Sequence, residues 1–531
     1  MRKYIRQGEP YVWATGATLT LTLLIALTLI AVVLVNGLGV FWPSDLAQAE
    51  LKNGSKVLGE IVRTEPHPDG SGERYQFKTG NRDLYGLDFR WVSESDMAQM
   101  RHPENALALE RDEYGNFYGY LRAVVIPGEK TIQGDLVRRY LEVRPEVERR
   151  EEVLEELKEQ IASLSREMEE LRLERQELLY EGAVPSSSKV QNLARREAVL
   201  KEEFGVLLAR QEAAQIELQQ YRIEMADASG RTAQVEMSHI VRFFEPNRMG
   251  FFSKTFLYLD RLAELFIGEP RESNTEGGLF PAIFGTVVLI FLMSLLSFPL
   301  GVMAAVYLRE YSKEGPLVRL VRIAVNNLAG IPSIVYGIFG LGFFVYGIGG
   351  SIDALFFPER LPTPTFGTGG VLWASLTLSL LTVPVVIVST DEALGAIPGG
   401  IREGSLALGS TKFQTLMRIL LPMASPGIMT GFILAMARAA GEVAPLMITG
   451  VVKLAPALPI DGVFPFVHLE RKFMHLGFHI YDIGFQSPNV EAAKPMVYIT
   501  TLLLVLVVLM MSSVAIVLRN RMKKRYTYGT F

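Results

Sequence analysis

Two ionisable side chains stand inside one of the most apolar stretches of this sequence. Arg438 and Glu442 fall in FILAMARAAGEVAPLMIT, four residues apart, a spacing that puts both on one face of a helix. Ionisable groups in a stretch able to cross a bilayer are costly, and they point at a cavity, a partner or each other. A guanidinium is a planar fork of donors suited to anions with several acceptor oxygens. A carboxylate one turn on can hold that fork or weaken its grip on an anion. The plainer use is an ion pair that locks helix packing. A second stretch, LTVPVVIVSTDEALGAIP, offers the hydroxyls of Ser389 and Thr390, whose plainer use is capping a helix end before Asp391.

Other chemistries are missing. The chain has no cysteine, which excludes disulfides, thiolate metal sites and cysteine nucleophiles. His67, His102 and His239 are scattered without metal-ligand spacing, so no metal site is expected. A phosphate-cradling loop needs G-x-x-x-x-G-K-[ST], and LGSTKF carries glycine and lysine in the wrong order. There is no H-E-x-x-H and no G-x-S-x-G. The chain is therefore not expected to be catalytic or to hold a cofactor. Any uphill movement must draw its energy from another chain or an ion gradient. A net charge of −4 gives no reason to expect nucleic acid as a partner.

The elements that must position these residues are legible from segregation. The 531 residues are 49% hydrophobic and 21% charged, but nearly all the charge lies between residues 50 and 275. A membrane span needs about 20 mostly apolar residues. Six stretches qualify, at roughly 12–36, 280–308, 323–349, 370–390, 424–452 and 496–518. The first is too long for a signal-peptide core and has no cleavage site close behind it, so it reads as an uncleaved span. Basic flanks set orientation. MRKYIR, YLREYSKEGPLVRLVR and RNRMKKRY share one side of a six-span chain, which reads as cytoplasmic, with both termini there. Residues 43–279 then face outward.

Within that outward part, KVLGEIVRT, RYQFKTG, DLYGLDFRWV and GYLRAVVIP read as strands. From Leu154 to Leu178, and again from Leu193 through Tyr221 and Met225, apolar residues recur by threes and fours. EGAVPSSS separates the two runs, so an antiparallel coiled-coil hairpin is expected, with arms of about 50 Å. TAQVEMSHIVRFF then reads as a strand returning to the β unit. The expected divisions are a first span at 1–42, a β-rich region at 43–145 and the hairpin at 146–228. A return strand and linker follow at 229–278, a permease-like core at 279–520 and a tail at 521–531. The fold class is mainly α: a polytopic membrane protein of about six transmembrane helices, plus a small outward β domain carrying the hairpin.

Between spans four and five lies EGSLALGSTKFQTLMRILLP. Glu403, Gly404 and Ser405 precede Gly409, and Ile419, Leu421 and Pro422 close the stretch as I-x-L-P. Gly409 permits a positive-φ turn between two short helices, and Leu406, Leu408 and Phe413 give an apolar face. Pro422 suits the start of a new helix. This spacing resembles the EAA signature of ABC importer permeases, with Gly404 and Ser405 replacing the two alanines. Together with NTEGG (274–278), PLGVMAAVYLREY (299–311), PSIVYGIFG (332–340) and ARAAGEVAPL (437–446), it resembles the phosphate ABC transporter permeases of the PstA type. The likeness covers residues 270–520 and span one, and leaves out the outward insertion.

The resemblance implies an ABC importer type I permease fold in a bacterial inner membrane. It implies a homologous second permease, ATPase subunits that bind ATP and dock on the 392–422 loop, a periplasmic phosphate-binding protein, and inorganic phosphate as cargo. It implies a pathway through Arg438 and Glu442, with Ser389 and Thr390 contributing. The pattern departs at Val388, near where relatives carry a polar residue. Two other functions compete: a permease for molybdate or tungstate, and a membrane-anchored sensor or scaffold working through its coiled coil. A sensor would not need an ATPase docking loop.

Overall fold

The computed structural model describes residues 9–70, 72–271, 274–487 and 490–526. The basic start MRKYIR and residues 527–531 of the tail lie outside the described residues. Among the described residues, six helical runs are long and apolar enough to cross a membrane: Tyr11–Gly39, Phe280–Tyr311, Ser333–Phe356, Val371–Gly395, Lys412–Gly441 and Val490–Lys524. The chain is a mainly helical, multi-pass membrane protein with a β domain between spans one and two.

Span three departs from expectation. Residues 323–332 do not belong to it. They form the end of an amphipathic helix, α4 (Pro316–Leu328), and the bend that follows. Pro332, just before Ser333, has no N–H to continue a helix and sets the new start.

Among the described residues, the β domain between spans one and two holds one five-stranded and one six-stranded antiparallel sheet. The first runs β4-β3-β2-β1-β5, using β1 (Leu46–Leu51), β2 (Lys56–Pro66), β3 (Glu73–Lys78), β4 (Phe89–Ser93) and β5 (Met97–Arg101). The second runs β10-β9-β7-β6-β11, with β6 (Leu107–Arg111), β7 (Phe117–Ile126), β9 (Arg222–Ala226), β10 (Thr232–Glu236) and β11 (Ile240–Phe244). The short β8 (Glu129–Thr131) pairs with β7. Phe77, Val57 and Val92 fill the first core, and Phe117, Ile223 and Met237 the second.

Helix α1 (Leu136–Tyr180) leaves this domain and α2 (Ser188–Leu218) returns. At about 1.5 Å per residue the arms are roughly 68 and 46 Å long, not equal. Leu164, Leu171 and Leu200 are buried between them. The pairs Arg175–Glu197 (3.1 Å) and Arg150–Glu217 fix an antiparallel course. Helix α1 begins ten residues before the expected boundary at 146. Asp135 caps it by accepting from the Arg138 amide at 3.0 Å, and Pro145 is accommodated inside. The apolar periodicity misleads at its far end. Tyr221 and Met225 belong to the β unit, because Ile223 and Met225 pair across to β7 and fill its core. TAQVEMSHIVRFF likewise makes two strands rather than one, split by a turn at Met237–His239.

Candidate functional site: an exposed loop and a broken membrane helix

Beyond span four the chain forms α5 (Gly399–Ala407), turns, and forms α6 (Lys412–Thr415). Gly409 makes the turn at φ +85°, in the left-handed region that glycine enters without steric cost. A capping box starts α6: Thr411 Oγ1 accepts from the Gln414 amide at 3.2 Å, and the Gln414 side chain accepts from the Thr411 amide at 2.9 Å. Ser405, buried, bonds Thr415 Oγ1 at 2.8 Å and pins the two helices together. Glu403 and Gly404 lie exposed on α5. Ile419, half-buried, lies in a widened turn at Leu416–Leu420, and Leu421 packs on the cluster of Leu394, Ile397, Leu416 and Leu420.

Pro422 does not begin a new helix. The run is continuous from Lys412 to Gly441, through α6, the widened turn and α7 (Leu421–Gly441). The widened turn directly before Pro422 absorbs its missing N–H.

The loop is braced against the spans by contacts that motif reading did not reveal. Arg402 Nη2 donates to Glu310 Oε1 at 2.9 Å and to the Leu394 carbonyl at 2.6 Å, and its Nη1 reaches the Ile397 carbonyl at 2.9 Å. Glu310 sits at the end of span two. Asp391, on span four, takes Arg322 of α4 at 3.0 Å and Arg309 at 3.7 Å. The tip itself has no cover. Leu408 is 88% exposed and Phe413 63%, beside exposed Leu406 and Met417. Arg402 carries no signal of its own in the sequence, but the basic YLREYSKEGPLVRLVR segment and the acids of STDE stand there as complementary charge.

The second part of the site lies within span five. Span four and α7 run antiparallel: a Cβ on Gly431 would stand 1.7 Å from Ser389 Oγ, and one on Gly427 2.6 Å from Ala393. Seven residues on, about 10 Å along the helix, Arg438 falls level with Thr382, near the middle of span four. There the helix breaks. Glu442 is extended (φ −80°, ψ 124°), and a short helix, α8 (Ala444–Thr449), resumes the crossing against Gly337 and Gly340. Arg438 and Glu442 thus do not share an unbroken helical face, as their spacing suggested. Pro445 is the signal for this, since it cannot continue a helix and unsettles the residues before it.

The two charges still meet. Arg438 Nε stands 3.6 Å from Glu442 Oε1, an ion contact too long for a hydrogen bond. Their side chains are 36% and 20% exposed. Non-helical backbone at membrane depth persists only where protein buries it or it lines a watery cavity. Ser389 and Thr390 are not brought to this pair. Ser389 is spent on packing against Gly431, and its hydroxyl donates to the Val385 carbonyl at 2.6 Å. Thr390 is fully buried, with no hydrogen bond at Oγ1 among the described residues. Neither caps a helix end, because span four continues to Gly395.

Residues 297–524 match the family described as binding-protein-dependent transport system inner membrane component. A probable ABC transporter permease, YqgI of Bacillus subtilis, is 30% identical over 223 residues, covering 41% of this chain and 70% of that protein. The chain belongs to the ABC transporter permease family. The phosphate transport system permease protein PstA of Mycobacterium leprae is 38% identical over 172 residues, 32% of this chain and 51% of that protein. A probable PstA of Methanocaldococcus jannaschii is 33% identical over 191 residues, 36% of this chain and 61% of that one. This permease therefore spans about half the length of the Mycobacterium leprae relative. The family match includes the loop of α5 and α6 and the break at Glu442, and leaves the β domain and helical hairpin outside it.

Proposed function

We propose that this chain is the permease subunit of an ATP-driven importer of inorganic phosphate in a bacterial inner membrane. The observation that carries the reading is the braced loop with an uncovered apolar tip, on the far side of the membrane spans from the β domain. In this reading ATPase subunits receive Leu408 and Phe413 in a groove and bind the ATP, and this chain holds no cofactor. Movement of the docked 392–422 loop passes to span two through Arg402–Glu310 and to span four and α4 through Asp391–Arg322. A homologous second permease closes the pathway, a periplasmic phosphate-binding protein delivers the cargo, and lipid surrounds the spans. Both termini are cytoplasmic.

Phosphate as the cargo rests on what the PstA relatives are named for, and on Arg438. No hydrogen bond engages the Arg438 guanidinium among the described residues, which leaves its fork of donors available to anion oxygens. Glu442 competes for the same guanidinium and keeps the anion from binding too firmly to move on. The test is uptake of labelled phosphate, molybdate and sulfate by a strain lacking this chain, complemented with the intact gene or with one lacking residues 136–218. Phosphate uptake alone is expected from the intact chain. Uptake of molybdate with none of phosphate would overturn the cargo assignment.

A further inference from the structure

Helix α3 (Phe251–Ile267) precedes span two and carries an uncovered apolar stripe. Phe252 (87% exposed), Phe256 (77%), Leu259, Phe266 and Ile267 (76%) recur at helical spacing along one side. The opposite side is fastened to the β domain and the spans. Lys254 reaches Asp45 at 2.5 Å, and Arg261 donates to the Phe41 carbonyl at 2.9 Å and pairs with Glu110. Glu264 holds Arg242 at 2.6 Å and Arg271 at 2.8 Å, and Leu265 is buried.

Both ends of α3 are tied to points where the chain enters the membrane. Trp42, three residues past the end of span one, lies 5.7 Å from Phe251 and 6.0 Å from Tyr258, ring to ring. At the other end the Leu279 amide donates to the Leu265 carbonyl at 2.8 Å, one residue before span two starts. The stripe is therefore held at the level of the span ends, where span one is itself exposed and apolar. Aromatic rings at that level, with a charged opposite face, suit a helix lying in the plane of the interface.

We infer that α3 lies along the bilayer interface on the β-domain side, with its phenylalanine stripe sunk among phospholipid acyl chains. It fixes the height and tilt of the outward domain over the membrane. Because the chain has no cysteine, single-site labelling is clean. Nitroxide labels are placed through Phe256→Cys, through Leu27→Cys in span one as the lipid reference, and through Glu203→Cys on the hairpin as the water reference. The full chain, with its partner subunits, is placed in vesicles of phosphatidylethanolamine and phosphatidylglycerol, and collisions with oxygen and with a water-soluble nickel chelate are measured. The expected ratio of oxygen to nickel collisions at position 256 clearly exceeds that at 203 and lies between it and the mid-span value at 27. A ratio equal to that at 203 puts the stripe in water. Shielding from both reagents puts it against protein. Either result overturns the inference.

Discussion

Gly409 offers a prediction in which backbone strain and side-chain contact separate. Its φ of +85° is unfavourable for residues with a Cβ, yet a Cβ built there meets nothing within 4 Å. Substitution therefore costs strain alone. For ordinary residues the left-handed conformation costs roughly 1–2 kcal/mol. Asparagine tolerates it, and a β-branched residue is worst. If the docking-competent turn must be adopted before the ATPase binds, its loss of population appears directly in the apparent Kd. Gly409→Ala should weaken ATPase binding by up to about fivefold and Gly409→Val by up to about thirtyfold, from about 1 and 2 kcal/mol. Gly409→Asn should stay near the parent. The assay is titration of the purified ATPase subunit onto the detergent-solubilised permease. Equal weakening by Asn and Val would mean that the side chain meets the partner, and no weakening by Val would mean that the turn does not govern docking.

Three further outcomes follow from the same geometry. Gly431→Ala places a methyl on Ser389 and should cost about 1–3 kcal/mol, read as a lowered melting temperature, with Ser389→Gly restoring most of it. Arg402→Leu leaves Glu310 and the Ile397 carbonyl without the guanidinium. Because the pair is about a fifth exposed, the full cost of a broken buried pair is reduced to about 2 kcal/mol, and combination with Glu310→Gln should cost less than the sum of the two. The hydrogen bond that His239 makes to Asp112 raises the pKa of the imidazole above 6.5, against the smaller opposing effect of burial. That stabilisation is complete below 6.5 and is lost as pH rises through the raised folded value. Asp112→Asn should reduce this pH dependence in the melting of the β domain, leaving the smaller contribution of Glu236.

The spans were legible because each is a long apolar run, which needs no tertiary information. The loop of α5 and α6 was legible because its turn and cap rest on local residues, Gly409 and Thr411–Gln414. What escaped depended on packing. LAQAEL and LALER are poor strand formers by composition, yet form β1 and β6 because neighbours on both sides complete their ladders. Tyr221 and Met225 continued an apolar period while belonging to a sheet. The break at Glu442 was masked by the even apolar character on both sides of it, although Pro445 stood in view. Ser389 looked like a donor to a pathway, and only the close approach of Gly431 shows that its place is taken.

The most direct test of the account is ATP-dependent phosphate uptake by proteoliposomes containing the complete transporter, comparing the parent with Arg438→Gln and Arg438→Lys. Uptake should be nearly abolished by Gln and partly kept by Lys, with assembly and ATPase binding unchanged. Parental uptake by correctly assembled Arg438→Gln would contradict the role given to the broken helix.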